Sequence, residues 1–170
     1  MTKPLNVLFL CTGNSARSIL SEALLNDLGK GEDGTPKFLG WSAGSHPSGR
    51  PHPEGIAELE KRGHRTDIYR SKSWDEFAAN KDKDGVEMDI VVTVCDNAAN
   101  EVCPVFPGHH ISVHWPAPDP AHIEPLTARQ TAFSNVYNLC RARIEALIAL
   151  STSDLKDKSK LQAIANISAS

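Results

Sequence analysis

The stretch from Leu5 to Ser18, LNVLFLCTGNSARS, constrains this chain more than any other. Residues 5–10 form an apolar run broken only by Asn6, the pattern of a strand buried on both faces of a parallel sheet. The run ends at Cys11, and a loop of small residues follows. From Arg17 the apolar residues recur at Ile19, Leu20, Ala23, Leu24 and Leu28, a helical stripe closed by Gly29. A buried strand passing through a short loop into a helix is the opening unit of an α/β sheet.

The same alternation continues. Phe38 to Ala43 reads as a second strand, broken at Gly44-Ser45-His46-Pro47. Pro53 opens a helix with Ile56 and Leu59 inward and Gly63 at its end. Ser73 is placed to cap a short helix over 75–78, and residues 80–87 form a charged turn. Asp89 to Val94 is another buried strand, ending at Cys95, and Ile111 to Trp115 a short one before Pro116. Thr127 to Leu150 is a long helix with Phe133, Val136, Tyr137, Cys140, Ile144, Leu147 and Ile148 on one stripe. The expected fold is α/β: an open, mainly four-stranded parallel sheet with helices on both faces, joined by right-handed crossovers. Residues 1–150 make the domain. Residues 151–170 are a polar tail with sparse apolar positions at Leu155, Leu161, Ile164 and Ile167, expected to form a weak extra helix or to fray. Ligands of such sheets bind beyond the carboxyl ends of the strands, which is where Cys11, Cys95 and the segment after Pro116 fall.

A chain of 170 residues suits one core, and a net charge of −3 argues against nucleic acid as a partner. No 18-residue uncharged apolar window is present, so no membrane partner is expected. The N-terminal residues lack the apolar run of a signal peptide, which points to the cytoplasm, where thiols stay reduced. Four cysteines in that setting are expected to be catalytic, metal-binding or buried rather than a structural disulfide set.

The loop Thr12-Gly13-Asn14-Ser15-Ala16-Arg17 has the makings of an oxyanion cradle. Backbone N–H groups converge at a helix N-terminus, Gly13 and Asn14 tolerate φ > 0, and Ser15 and Ala16 leave the concavity open. Arg17 supplies a planar fork for two oxygens. That field is expected to hold Cys11 as thiolate, with Ser18 donating to its sulfur. No Gly-Lys-Ser/Thr is present, which excludes a Walker loop. His114-Trp115-Pro116-Ala117-Pro118-Asp119-Pro120 carries an acid on a loop after a strand, suited to protonate an oxygen leaving from Cys11. Cys95 and Cys103 bracket a strand-end segment. A zinc site with His109, His110 and His114 is the weaker alternative, because Cys-x7-Cys is not knuckle spacing. A thiol relay is the better reading: hydrolysis of a phosphoester needs only Cys11, Arg17, Asp119 and water, whereas extra thiols serve an oxyanion that must gain two electrons, such as arsenate. Cys140 belongs to the core.

Cys11 to Ser18 resembles the active-site loop of the low-molecular-weight tyrosine phosphatases and of the arsenate reductases built on that fold, over roughly residues 5–150. Val91-Val92-Thr93-Val94-Cys95, Cys103-Pro104 and His114-Trp115…Asp119-Pro120-Ala121 resemble the reductase pattern. The phosphatases carry tyrosines after Asp-Pro; here Ala121 and His122 stand there. The resemblance implies that Cys11 attacks arsenate held by Arg17 and the loop amides, and that Asp119 protonates the leaving oxygen. It further implies that Cys95 attacks the Cys11 sulfur to release arsenite, and that Cys103 then takes over the disulfide, with the 97–100 segment loosening. No tightly bound cofactor is implied. The implied partner is thioredoxin, with glutathione/glutaredoxin or mycothiol as other reductants, and the implied role is arsenic resistance. Some members bind potassium beside the loop; Asn14, Glu22, Ser42 and Asp75 occupy matching positions. Two other readings stay open: a low-molecular-weight phosphatase hydrolysing phosphate monoesters, and a redox-sensing module switched by Cys11 and Cys95. The complete Cys11, Arg17 and Asp119 set argues against the sensor, which needs no acid and no cradle.

Overall fold

A computed structural model describes residues 3–78, 86–95 and 110–168. Cys103, His109, the 97–100 segment and most of the charged turn at 80–87 lie outside the described residues. Four strands form one parallel sheet: β1 (Leu5–Cys11), β2 (Phe38–Gly44), β3 (Ile90–Thr93) and β4 (Ile111–His114), in the order β2-β1-β3-β4. β1 is central, which is why its run is apolar. Val7, Phe9 and Cys11 face one cluster while Leu8 and Leu10 face another, as the two-residue period of a strand dictates.

On the first face lie α1 (Arg17–Leu28), α2 (Pro53–Lys61) and α3 (Leu126–Ile148), with Ile19, Leu20, Leu24, Leu59, Phe133 and Ile144 in the cluster. The other face is covered, among the described residues, by Trp74 and Phe77 of a 3-10 turn (Trp74–Phe77), with Met88 beside them. α2 starts as its sequence suggests: Pro53 is its first residue and His52 Nδ1 accepts from the Glu54 amide at 3.1 Å. No helix among the described residues is long and apolar enough to cross a membrane.

Of the two expectations for the tail, the extra helix is the one found. Residues 151–168 do not simply fray. A 3-10 turn (Asp154–Lys156) leads into α4 (Lys158–Ala163), capped by Asp157, whose carboxylate accepts from the amides of Ser159 and Lys160. Leu161 and Ile164 are buried in the main core. An N-cap and two apolar residues three apart suffice once a sheet edge is there to receive them.

The register brings the site together. Leu10 pairs with Thr93, and the Val94 amide still donates to Leu10 O at 2.9 Å. Cys11 and Cys95 therefore leave adjacent strands at the same edge.

Candidate active site

The loop between β1 and α1 is held from outside by its own carbonyls. Those of Thr12, Gly13 and Ser15 accept, each at 2.9 Å, from the amides of His46, Ser48 and His52. Ser71 Oγ also donates to Gly13 O at 3.2 Å. In a trans peptide the N–H of the next residue points opposite the carbonyl, so the Gly13, Asn14 and Ala16 amides turn toward the concave side. Gly44 makes this bracket possible. A Cβ there would stand 2.4 Å from Thr12 O and 2.7 Å from Cys11 O. Asn14, with φ of 42°, is the only non-glycine at positive φ among the described residues. It is fully buried, with Oδ1 accepting from the Lys72 amide and Nδ2 donating to Ser18 Oγ, both at 2.8 Å. α1 begins without a side-chain cap, since its N-cap is Ala16, and with Arg17 where the helix dipole disfavours a cation. Both features suit an anion bound at this end.

Ser18 Oγ lies 2.9 Å from Cys11 Sγ. The hydroxyl oxygen accepts from Asn14 Nδ2, and the hydroxyl is placed to donate to the sulfur once Cys11 has lost its proton. The surroundings of the sulfur work against the expected thiolate. Burial pushes the Cys11 thiol up from its ordinary value; the Ser18 hydrogen bonds pull it down, neighbouring Cys95 adds to the rise, and Arg17 lowers it least. Cys11 is 4% exposed. The Arg17 fork is turned elsewhere, with one nitrogen donating to Ala117 O at 2.9 Å and the other 3.9 Å from Asp119 Oδ2. Desolvation of the sulfur therefore outweighs the cationic field.

Asp119 Oδ1 accepts from the Ala121 amide at 2.9 Å, an Asx turn that fixes the carboxylate at the exposed rim beside Arg17. Cys95 Sγ accepts from the Thr12 amide at 3.3 Å, one residue from the nucleophile. Cys11, Ser18, Arg17, Asp119 and Cys95 are thus brought to one place. Cys11 and Cys140 are free thiols. Cys140 sits in the core as expected, accepting from Ser21 Oγ at 3.5 Å.

The potassium set meets a competing cation. Glu22 and Ser42 are buried together, Ser42 Oγ donating to Glu22 Oε1 at 2.5 Å. Beside them stands the ammonium of buried Lys72, donating to Ser42 Oγ at 3.5 Å and 3.9 Å from Glu22 Oε1. Asn14 Oδ1 is engaged by the Lys72 amide, and Asp75 is exposed in its 3-10 turn. A fixed cation already neutralises this pocket, so the residues do not fit a potassium ion. Sequence reasoning missed Lys72. It lies in the polar run Arg70-Ser71-Lys72-Ser73, which has no periodicity to mark one member as buried.

A family model described as low molecular weight phosphotyrosine protein phosphatase matches residues 6–161. The chain belongs to that family. Within it, an arsenate reductase of Halalkalibacterium halodurans is 34% identical over 123 residues, covering 69% of this chain and 76% of the relative. Arsenate reductase 1 of Bacillus cereus is 38% identical over 121 residues, 68% of this chain and 76% of the relative. Among solved structures, an arsenate reductase in the phosphate-binding state is 26% identical, with a TM-score of 0.59, covering 85% of this chain and 97% of that one. This family member is thus similar in sequence to arsenate reductases at 34% and 38% identity.

Proposed function

We propose that the chain reduces arsenate to arsenite with an external thiol as electron source. The observation that carries this reading is the second thiol: Cys95 Sγ bonded to the amide of Thr12, immediately after the nucleophile. Hydrolysis of a phosphate monoester does not require it.

Arsenate enters the cradle against the Gly13, Asn14 and Ala16 amides and the Arg17 fork. Cys11 gives up its proton to the incoming dianionic oxyanion, and the Ser18 hydroxyl is placed to donate to the sulfur that results. The sulfur attacks arsenic, an S–As bond forms and an As–O bond breaks. The departing oxygen, protonated through Asp119, leaves as water. The Cys95 thiol then attacks Cys11 Sγ. The S–S bond forms, the S–As electron pair stays on arsenic, which falls from As(V) to As(III), and the thiol proton goes to the departing arsenite. Cys103 attacks Cys95, freeing Cys11 and leaving a Cys95–Cys103 disulfide. Thioredoxin, a dithiol protein, returns the two electrons. Such a relay belongs in the reducing cytoplasm.

The test is NADPH consumption with thioredoxin, thioredoxin reductase and arsenate. Arsenate-dependent turnover is expected in the wild type. It is expected to be lost in Cys95→Ser and in Cys103→Ser, both of which retain aryl phosphate hydrolysis. No turnover with thioredoxin, glutathione/glutaredoxin or mycothiol systems, beside fast aryl phosphate hydrolysis, would establish the phosphatase instead.

A further inference from the structure

The loop that carries Asp119 is held along its length, and part of what holds it comes from the C-terminal tail. β4 is the edge strand of the sheet, and an edge leaves backbone donors and acceptors open. The side-chain amide of Gln162 closes one such position from both sides. Its Oε1 accepts from His114 N at 2.9 Å and its Nε2 donates to His114 O at 2.7 Å, as a neighbouring strand would. One residue on, the Trp115 indole N–H donates to Leu161 O at 2.9 Å, with the ring 2% exposed.

Arg143 completes the hold. It occupies the apolar stripe of α3 yet is 6% exposed. One terminal nitrogen donates to Trp115 O at 3.1 Å and Pro116 O at 2.9 Å, and the other to Ala165 O at 3.1 Å. A planar guanidinium thus ties the acid loop to the tail. Next comes Ala117, whose amide donates to Val94 O at 3.1 Å and whose carbonyl receives Arg17. Two residues later stands Asp119. The family match ends at residue 161, so Gln162 and Ala165 lie past it.

We propose that residues 158–167 are a clasp on the acid loop, with Gln162 and Arg143 as positioning residues that set Asp119 against the leaving oxygen and Ala117 O against Arg17. The proposal rests on the reading of Asp119 as the acid. A displaced acid is felt most by substrates whose leaving group needs a proton and least by those whose leaving group departs as a stable anion.

The experiment compares full-length wild type, Gln162→Ala, Arg143→Met and Asp119→Asn on phenyl phosphate and 2,4-dinitrophenyl phosphate, with amide hydrogen exchange of residues 114–121 measured alongside. For Gln162→Ala, kcat/KM with phenyl phosphate is expected to fall about tenfold while the dinitrophenyl ester changes less than about twofold. Exchange at Trp115 and Ala117 is expected to quicken, and Gln162→Ala is expected to add little in the Asp119→Asn background. Equal losses on both esters, or unaltered exchange at 114–121, overturn the clasp. If Asp119→Asn itself shows no leaving-group effect, the acid assignment fails and the positioning role fails with it. A wild type silent toward both esters leaves the decision to the exchange measurement. Arg143→Met opens a buried hydrogen-bonding position, so Gln162→Ala, changing a partly exposed side chain, stands as the variant least prone to misfold.

Discussion

At the scale of single residues, the state of the Cys11 sulfur governs the chemistry. Its thiol is raised above the ordinary value of 9.0 by burial, and Ser18 is the chief influence opposing that rise. A raised thiol gains reactive thiolate only as pH climbs toward and past that value. Site-resolved alkylation of Cys11 by iodoacetamide in the free protein is therefore expected to keep accelerating beyond pH 9, with no plateau near neutrality. Ser18→Ala removes a hydrogen bond to the charged sulfur, worth roughly 1.5–3 kcal/mol, and is expected to slow alkylation at pH 8 about tenfold. A plateau below pH 8, read by mass spectrometry, would mean that the cradle holds a thiolate after all. Cys11, Arg17, Ser18 and Asp119 were legible as a set because their chemistry is declared by residue type and short spacing. The upward push on the Cys11 thiol was not legible, since desolvation depends on everything packed around the sulfur.

At the scale of elements, the loop and the segment beneath it stand or fall together. Asn14 holds a left-handed turn and two buried hydrogen bonds. Asn14→Ala is expected to cost about 2–4 kcal/mol, measured by denaturant unfolding. Below it, burial raises the Glu22 carboxyl and lowers the Lys72 ammonium, while each favours the charged form of the other. Lys72→Met leaves Glu22 buried without its cation, at an expected cost of about 3–5 kcal/mol, and Lys72→Met/Glu22→Gln is expected to recover most of it. A double variant no more stable than Lys72→Met would remove the pair from the account. The strands and α1 were readable from periodicity to within a residue or two. The bracket of amides from 46–52 and the ammonium of Lys72 were not, because backbone donors and a solitary lysine carry no pattern.

At the scale of the whole molecule, the core extends into a segment that composition marks as a polar tail. Leu161 is fully buried in the cluster that holds Phe9 and Trp115. Leu161→Ala is expected to destabilise the entire domain by about 2–5 kcal/mol in a single cooperative transition. An early, separate melting of the tail would show that it is not part of that core. The sequence by itself determined the order of strands and helices, the loop at the end of β1 and the nucleophile within it. Each depends on periodicity or on neighbours a few residues apart, and those forces act before the chain has closed. Only the tertiary structure decided that Cys95 meets the Thr12 amide, that the Cys11 thiol is pushed up, that a lysine supplies the cation beneath the loop and that the tail grips the acid loop. Those outcomes rest on distances across the sheet and on water excluded from it, and both exist only once the strands have paired.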